Sequence, residues 1–244
     1  MINVTEHLHI PAWLPAGLEA LPPTLLSCRA IPFADAALRR ELGCAPHHAS
    51  LGLVTADQDD ALYAALDHAT KFARVDVVYA KSFYAGAAHA SGPLSGEILG
   101  VLAAADPQEI AEGLQALREY LAEHAHFYKP RAGVAANQPA FFPHVIAETG
   151  HYLSVAAGID PGQPLAYLIA PPVESIIALD AALKAADVRL CRYFGPPTET
   201  NFGGGYLTGK LAAVEAAATA FAEAVLEVAQ SPLAAARRAD RDRA

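Results

Sequence analysis

Asp57, Asp59 and Asp60 crowd three carboxylates into one short stretch, where the apolar run Leu51-Gly-Leu-Val-Thr-Ala meets a helical pattern. Carboxylates at a helix start accept from free backbone N–H groups and suit the positive end of the dipole. The same cluster has the chemistry to hold an ammonium group. Such a group needs acceptors for three N–H donors and gains about 0.5–2 kcal/mol from an aromatic face. Capping and binding are compatible. Glu97 is another carboxylate, at the head of an otherwise apolar strand, and taken alone reads as a solvated charge.

No other residue types form a reactive constellation. Among ten histidines there is no HExxH, and His47-His48 and His124-x-His126 lie near loops. His144, Glu148 and His151 would share a face only on a helix, whereas their segment reads as a strand, so no metal site is expected. Ser154, Ser175 and the three cysteines (Cys28, Cys44, Cys191) lack the context of an activated nucleophile. An odd cysteine count without CxxC predicts reduced thiols. Neither GxxxxGK[ST] nor GxGxxG is present, which argues against a phosphate cradle. No catalysis and no cofactor are expected.

The elements that would position the carboxylates occur twice. Asp67-His-Ala-Thr-Lys-Phe-Ala-Arg-Val75 returns as Asp180-Ala-Ala-Leu-Lys-Ala-Ala-Asp-Val188, and Gly96-Glu-Ile-Leu-Gly-Val-Leu-Ala-Ala104 as Gly205-Tyr-Leu-Thr-Gly-Lys-Leu-Ala-Ala213. This alignment sets Glu97 opposite Tyr206. The long period is that of a whole small domain, not a solenoid unit. In the first copy Leu62, Leu66, Ala69 and Ala73 mark one helical stripe. Val75 to Ala80 and Glu97 to Ala104 read as strands, and Asp106-Pro-Gln-Glu109 opens a second helix as a capping box, with Ile110, Leu114, Leu117 and Leu121 on its buried face. The second copy runs strand Leu165–Ala170, helix Glu174–Ala186, strand Val188–Tyr193, glycine loop 196–205, strand Tyr206–Ala213 and a long helix.

This β-α-β-β-α order predicts an α/β fold of the α+β kind: two ferredoxin-like units. Leading strands at Leu25–Phe33 and His144–Val155 would complete each sheet. The units are expected at 1–127, with an N-terminal extension at 1–23, and at 140–231. The Pro-rich segment 127–143 is the boundary between them, and a polar tail occupies 232–244. Lys71 and Lys184, at one repeat position, read as solvated lysines or as donors to carbonyls across an edge.

The net charge of −9 opposes binding to a phosphate backbone. The longest weakly polar stretch, Gly203 to Ala229, carries Lys210, Glu215, Glu223 and Glu227, too many charges to span a membrane. With no secretory signal apparent at the N-terminus, a cytosolic location is expected.

Several segments together resemble the tandem-domain, trimer-forming shell proteins of bacterial microcompartments, of the ethanolamine-utilisation (EutL) type. They are Ser50–Asp60, Asp67–Lys71, Val77–His89, Ala166–Pro172, Asp180–Val188 and Pro196–Asn201. The resemblance covers nearly the whole chain. It implies duplicated, circularly permuted shell domains in a pseudohexameric trimer that tiles with other shell proteins. It also implies three small channels per trimer and a central channel shut by loops. By resemblance, Asp59, Asp60, Glu97, Phe127 and Thr200 fall at the ethanolamine-binding positions of a small channel. Tyr84, Gly86, His89, Asn201, Phe202, Gly203 and Gly204 fall in the gating loops. His89 is the one residue whose three copies would meet at the threefold axis and attract adventitious metal. A propanediol-type compartment, or a trimeric metabolite-binding regulator of ferredoxin-like fold, are the alternatives.

Overall fold

A computed structural model describes residues 10–83, 96–135, 137–196, 198 and 201–233. Each repeat supplies four strands and three helices in the same order. The first contains β2 (Leu25–Ile31), α1 (Ala36–Glu41), β3 (Ser50–Ala56), α2 (Asp59–Phe72), β4 (Asp76–Ser82), β5 (Ile98–Ala104) and α3 (Pro107–Glu123). The second contains β7 (Phe142–Ile146), α4 (His151–Ala157), β8 (Leu165–Ala170), α5 (Pro172–Ala185), β9 (Val188–Phe194), β10 (Gly203–Gly209) and α6 (Leu211–Gln230). Both sheets are antiparallel, ordered β2-β3-β5-β4 and β7-β8-β10-β9. This is the tandem ferredoxin-like arrangement, with the leading strand of each sheet moved to the front of its repeat.

The expected helices form where apolar spacing places them. Leu62, Leu66 and Ala69 of α2, and Ile110, Leu117 and Leu121 of α3, are sealed from solvent. At the start of α3, Asp106 accepts from the N–H groups of Gln108 (2.9 Å) and Glu109 (3.1 Å), with Pro107 at the first turn. The Glu109 carboxylate does not close the capping box. It takes the N–H of Arg74 (2.7 Å) and the guanidinium of the same residue.

The layers alternate sheet, helices, sheet, helices. One core joins Val54, Ile98 and Leu102 of the first sheet through α2 and α3 to Phe142, Leu165, Tyr167 and Tyr206 of the second. The opposite face of the second sheet, with Ala166, Leu168 and Leu207, packs on α5 and α6. The helices of repeat one are therefore covered on both sides, whereas the outer face of α5 carries exposed Val173, Ile176, Ile177 and Leu183.

Three expectations are corrected. First, 144–155 is not one strand. β7 ends at Ile146 and α4 starts at His151, because Asp67 supplies acceptors to the Gly150 and Leu153 N–H groups. Second, the last strand is Gly203–Gly209 and not Tyr206–Ala213, so Gly203 and Gly204 lie within β10 and Leu211 opens α6. Third, the repeated Gly96/Gly205 word is out of structural register. Leu51 pairs with Ala103 and Leu165 with Thr208, which makes Val101 the counterpart of Tyr206 and Phe202 the counterpart of Glu97. A four-residue slip is invisible where both copies are rich in Gly, Leu and Ala.

The expected boundary also carries structure. β6 (Phe127–Pro130) pairs antiparallel with β1 (Leu18–Leu21) from the N-terminal extension. Leu14 and Leu18 are buried in the core of repeat two, and Thr219 of α6 donates to the Trp13 carbonyl (2.8 Å). The extension and the inter-repeat segment thus bind the two halves together. No described helix is long and apolar enough to cross a membrane.

Candidate functional site: an acidic pocket between the repeats

The N-terminus of α2 stands at the junction of the two sheets, and the acidic cluster divides its tasks there. Asp57 accepts from the Thr24 N–H (2.6 Å). The N-cap residue is Gln58, whose side chain makes no capping bond and donates instead to the Leu21 carbonyl (3.0 Å). Its amide oxygen Oε1 is buried with no hydrogen-bond partner among the described residues. Asp59 accepts from the Asp60 N–H (2.9 Å) and the Ser82 hydroxyl (2.7 Å). Asp60 accepts from the Tyr167 hydroxyl. Helix capping alone therefore does not account for the carboxylates.

A pocket of about 220 Å³ opens beside this turn, lined by Leu21, Asp57, Gln58, Asp59, Glu97, Phe127, Ala140 and Phe202. Three of the five residues expected to bind an ammonium, Asp59, Glu97 and Phe127, meet here. Glu97 is aimed by Gly96, whose backbone sits at φ +61 and lets the Glu97 N–H reach the Ala56 carbonyl (2.8 Å). A Cβ on Gly96 would lie 2.1 Å from that carbonyl oxygen, so no other residue fits without moving the strand end. Burial, then the charges of Asp59 and Asp57, push the Glu97 carboxyl up. Phe127 and Phe202 form the apolar wall, with ring centroids 6.1 Å apart.

The remaining expected residues, Phe202 excepted, fall elsewhere. Asp60 turns into a neighbouring cavity with Tyr167. Phe202 lies in the pocket wall, and Asn201, at φ 63, turns the chain just ahead of β10. Thr200, Tyr84, Gly86 and His89 lie outside the described residues. Residue-type reasoning missed Gln58 and the role of Phe202. The correct strand register, which sets Phe202 opposite Glu97, was the signal that could have found the latter.

His47, His48 and Asp76 place ligand-type atoms within 4.8 Å of one another. In this structure His48 is engaged in hydrogen bonds on both ring nitrogens. His48 Nδ1 accepts the Ala45 N–H (3.1 Å), which leaves the ring proton on Nε2, facing Asp76 Oδ2 at 2.9 Å. A metal on Nε2 would force a proton onto Nδ1 against that N–H.

This architecture has relatives. The BMC domain profile matches residues 169–236. The bacterial microcompartment shell protein EutL of Clostridium perfringens (strain 13 / Type A) is 49% identical over 218 residues, covering 88% of this chain and 98% of that protein. The chain belongs to the EutL family of bacterial microcompartment shell proteins. The crystal structure of ethanolamine utilization protein EutL from Leptotrichia buccalis C-1013-b agrees with a TM-score of 0.83. It is 50% identical and covers 89% of this chain and 99% of that one. The trimeric bacterial microcompartment shell protein PduB shares the fold at 18% identity and a TM-score of 0.68, over 82% and 87% of the two chains.

Proposed function

We propose that this chain is a tiling shell subunit of an ethanolamine-utilising microcompartment, and that the acidic pocket is a small channel for ethanolamine. The observation that carries the ligand reading is the meeting of the Asp59 and Glu97 carboxylates beside Phe127. These offer acceptors for the three N–H donors of a primary ammonium, and an aromatic face for its charge. Binding is weak by design of the role, since a conduit must release what it admits. The chain acts by permeation and assembly rather than turnover.

The assembled state follows from the same duplication. Within the chain, α2 docks on repeat two through Asp60, Tyr63, Ala64 and Asp67. Their counterparts on α5, by the Asp67/Asp180 register, are Val173, Ile176, Ile177 and Asp180, all exposed. The first sheet has a matching face that is only partly covered, with Leu53, Leu99 and Tyr79 partly buried. Docking α5 of one copy on the first sheet of the next repeats the internal contact head to tail, and a homotrimer of paired units closes the ring. The two units of this reading are 1–127 and 140–231, with the described part of the N-terminal extension, 10–23, as a clasp across them. The segments carrying Tyr84, Gly86 and His89, and Asn201 with Phe202 ahead of β10, would gate the axis, and other shell proteins would meet the outer edges.

Titration calorimetry with ethanolamine tests the channel. Wild type binds, and Glu97→Gln weakens binding roughly 10- to 100-fold, the ~1.5–3 kcal/mol of a hydrogen bond to a charged group. Equal binding by both proteins, or none by either, would refute it.

A further inference from the structure

A separate cavity of about 440 Å³ opens where the N-terminal extension, α2, α3, β7 and α6 meet, and it shares no residue with the acidic pocket. Its walls are aromatic. Trp13 comes from the extension and Tyr120 from α3, with the His68 ring of α2 stacked on Tyr120 at 4.2 Å. Its most buried lining residues are polar: Tyr128 is 4% exposed and His144 8%. Burial keeps both neutral, pushing the Tyr128 phenol up to about 12 and the His144 imidazole down to about 3.

The protons of this lining can be assigned. The Tyr120 hydroxyl meets His144 Nε2 at 2.7 Å and makes no other bond among the described residues, so its one proton goes to that nitrogen. The neutral imidazole then carries its own proton on Nδ1. That N–H has no acceptor among the described residues, and the Tyr128 hydroxyl has no partner there either. Charge is added at the same cavity. Lys71 donates to the Glu148 carbonyl (2.9 Å) rather than to Asp67, because Asp67 is taken up by Gly150 and Leu153; its repeat partner Lys184 does bond Asp180. The Glu148 and Glu215 side chains also line the space and form no salt bridge among the described residues.

Buried donors without acceptors are uncommon in native proteins and call for a partner. Water would meet them but leave the aromatic walls hydrated, whereas a flat ring carrying a carbonyl meets both needs. The volume falls in the range of small-molecule sites. One lysine against two carboxylates gives a negative field, which disfavours an anionic ligand and leaves acceptors for N–H groups. A primary carboxamide has the required two edges.

We infer that this cavity binds a small planar aromatic carboxamide, of the nicotinamide class. Its carbonyl would accept from His144 Nδ1 and the Tyr128 hydroxyl, its N–H₂ would face Glu215, and its ring would lie against Trp13 and Tyr120.

Trp13 is the only tryptophan of the chain, so its fluorescence reports this site directly. Nicotinamide and benzamide should each change it saturably. Benzoate, alike in shape but anionic, should bind at least tenfold more weakly than benzamide. Tyr128→Phe keeps the packing and removes no bond within the protein. It should weaken benzamide roughly 2- to 12-fold, the worth of one neutral hydrogen bond. Glu215→Gln should narrow the preference for benzamide over benzoate. Glu97→Gln should leave benzamide binding unchanged, which separates this site from the channel. No saturable change with either amide, benzoate binding as well as benzamide, or binding indifferent to Tyr128→Phe would overturn the assignment.

Discussion

Replacing Asp67 with alanine should loosen the joint between the repeats. Asp67 is 1% exposed, on α2 of repeat one, and its two oxygens accept from the Gly150 and Leu153 N–H groups of repeat two, each at 2.7 Å. These are first-turn donors of α4, which has no capping side chain of its own. Thr70 adds an acceptor for the His151 N–H (3.0 Å), and Lys71 crosses the same joint to the Glu148 carbonyl (2.9 Å). Alanine would strand two N–H groups, each worth ~1–3 kcal/mol when buried and unsatisfied. Burial already pushes the Asp67 carboxyl up, against the pull of its two N–H partners, so relief of that cost offsets part of the loss. The net expectation is about 2–4 kcal/mol, or a fall in Tm of roughly 4–16 °C at ~2–4 °C per kcal/mol for a chain of this size. Asparagine keeps one acceptor and should lose about half as much, since its amide N–H₂ faces the second donor. Urea unfolding at neutral pH measures the loss, and amide exchange at Gly150 and Leu153 locates it. A loss under ~1 kcal/mol for Asp67→Ala, with both amides still protected, would refute the account.

Two further outcomes follow. Burial lowers His68 to about 4 and His144 to about 3, below the 6.5 of the free side chain. The unfolded chain therefore binds protons the folded one does not, and the neutral rings contribute stability that is complete above pH 6.5. That stability drains as pH falls toward those values, at up to about 1.4 kcal/mol per pH unit for the buried His144 ring and by less for the half-buried His68. Denaturant titrations between pH 7 and 4 should show the slope, and His144→Gln should reduce it; a slope equal to wild type would count against the assignment. Ile177→Glu, on the exposed α5 face, should leave the subunit fold within ~0.5 kcal/mol and abolish the trimer in sedimentation velocity; an intact trimer would contradict the head-to-tail contact.

Local patterns determined the secondary structure wherever one helix or strand buries one face. The Leu62–Leu66–Ala69 stripe, the Asp106-Pro107 start and the Leu165–Ala170 strand carry their own instructions, because spacing and capping act within a few residues. The sequence by itself also settled the duplication and, through its unusual words in order, the shell-protein family. It failed where local signals were weak or duplicated. α4 is a short helix whose N-terminus is held by Asp67, a residue from the other repeat, so nothing within 144–155 announces it. The register of β10 was hidden by Gly, Leu and Ala that match at several offsets, and only strand pairing set Phe202 opposite Glu97.

The acidic cluster shows the same division. Its residue types and position at a helix start were legible as ammonium chemistry. Which carboxylate serves which cavity was not, since a turn of backbone decides it. Asp59 lies beside Glu97 and Phe127 and also accepts from Ser82, whereas Asp60 reaches Tyr167 in the other repeat. Composition and spacing fix what a residue can do. Only packing one repeat against the other decides which partners come within hydrogen-bond range, because those partners are distant in sequence and close only in the folded chain.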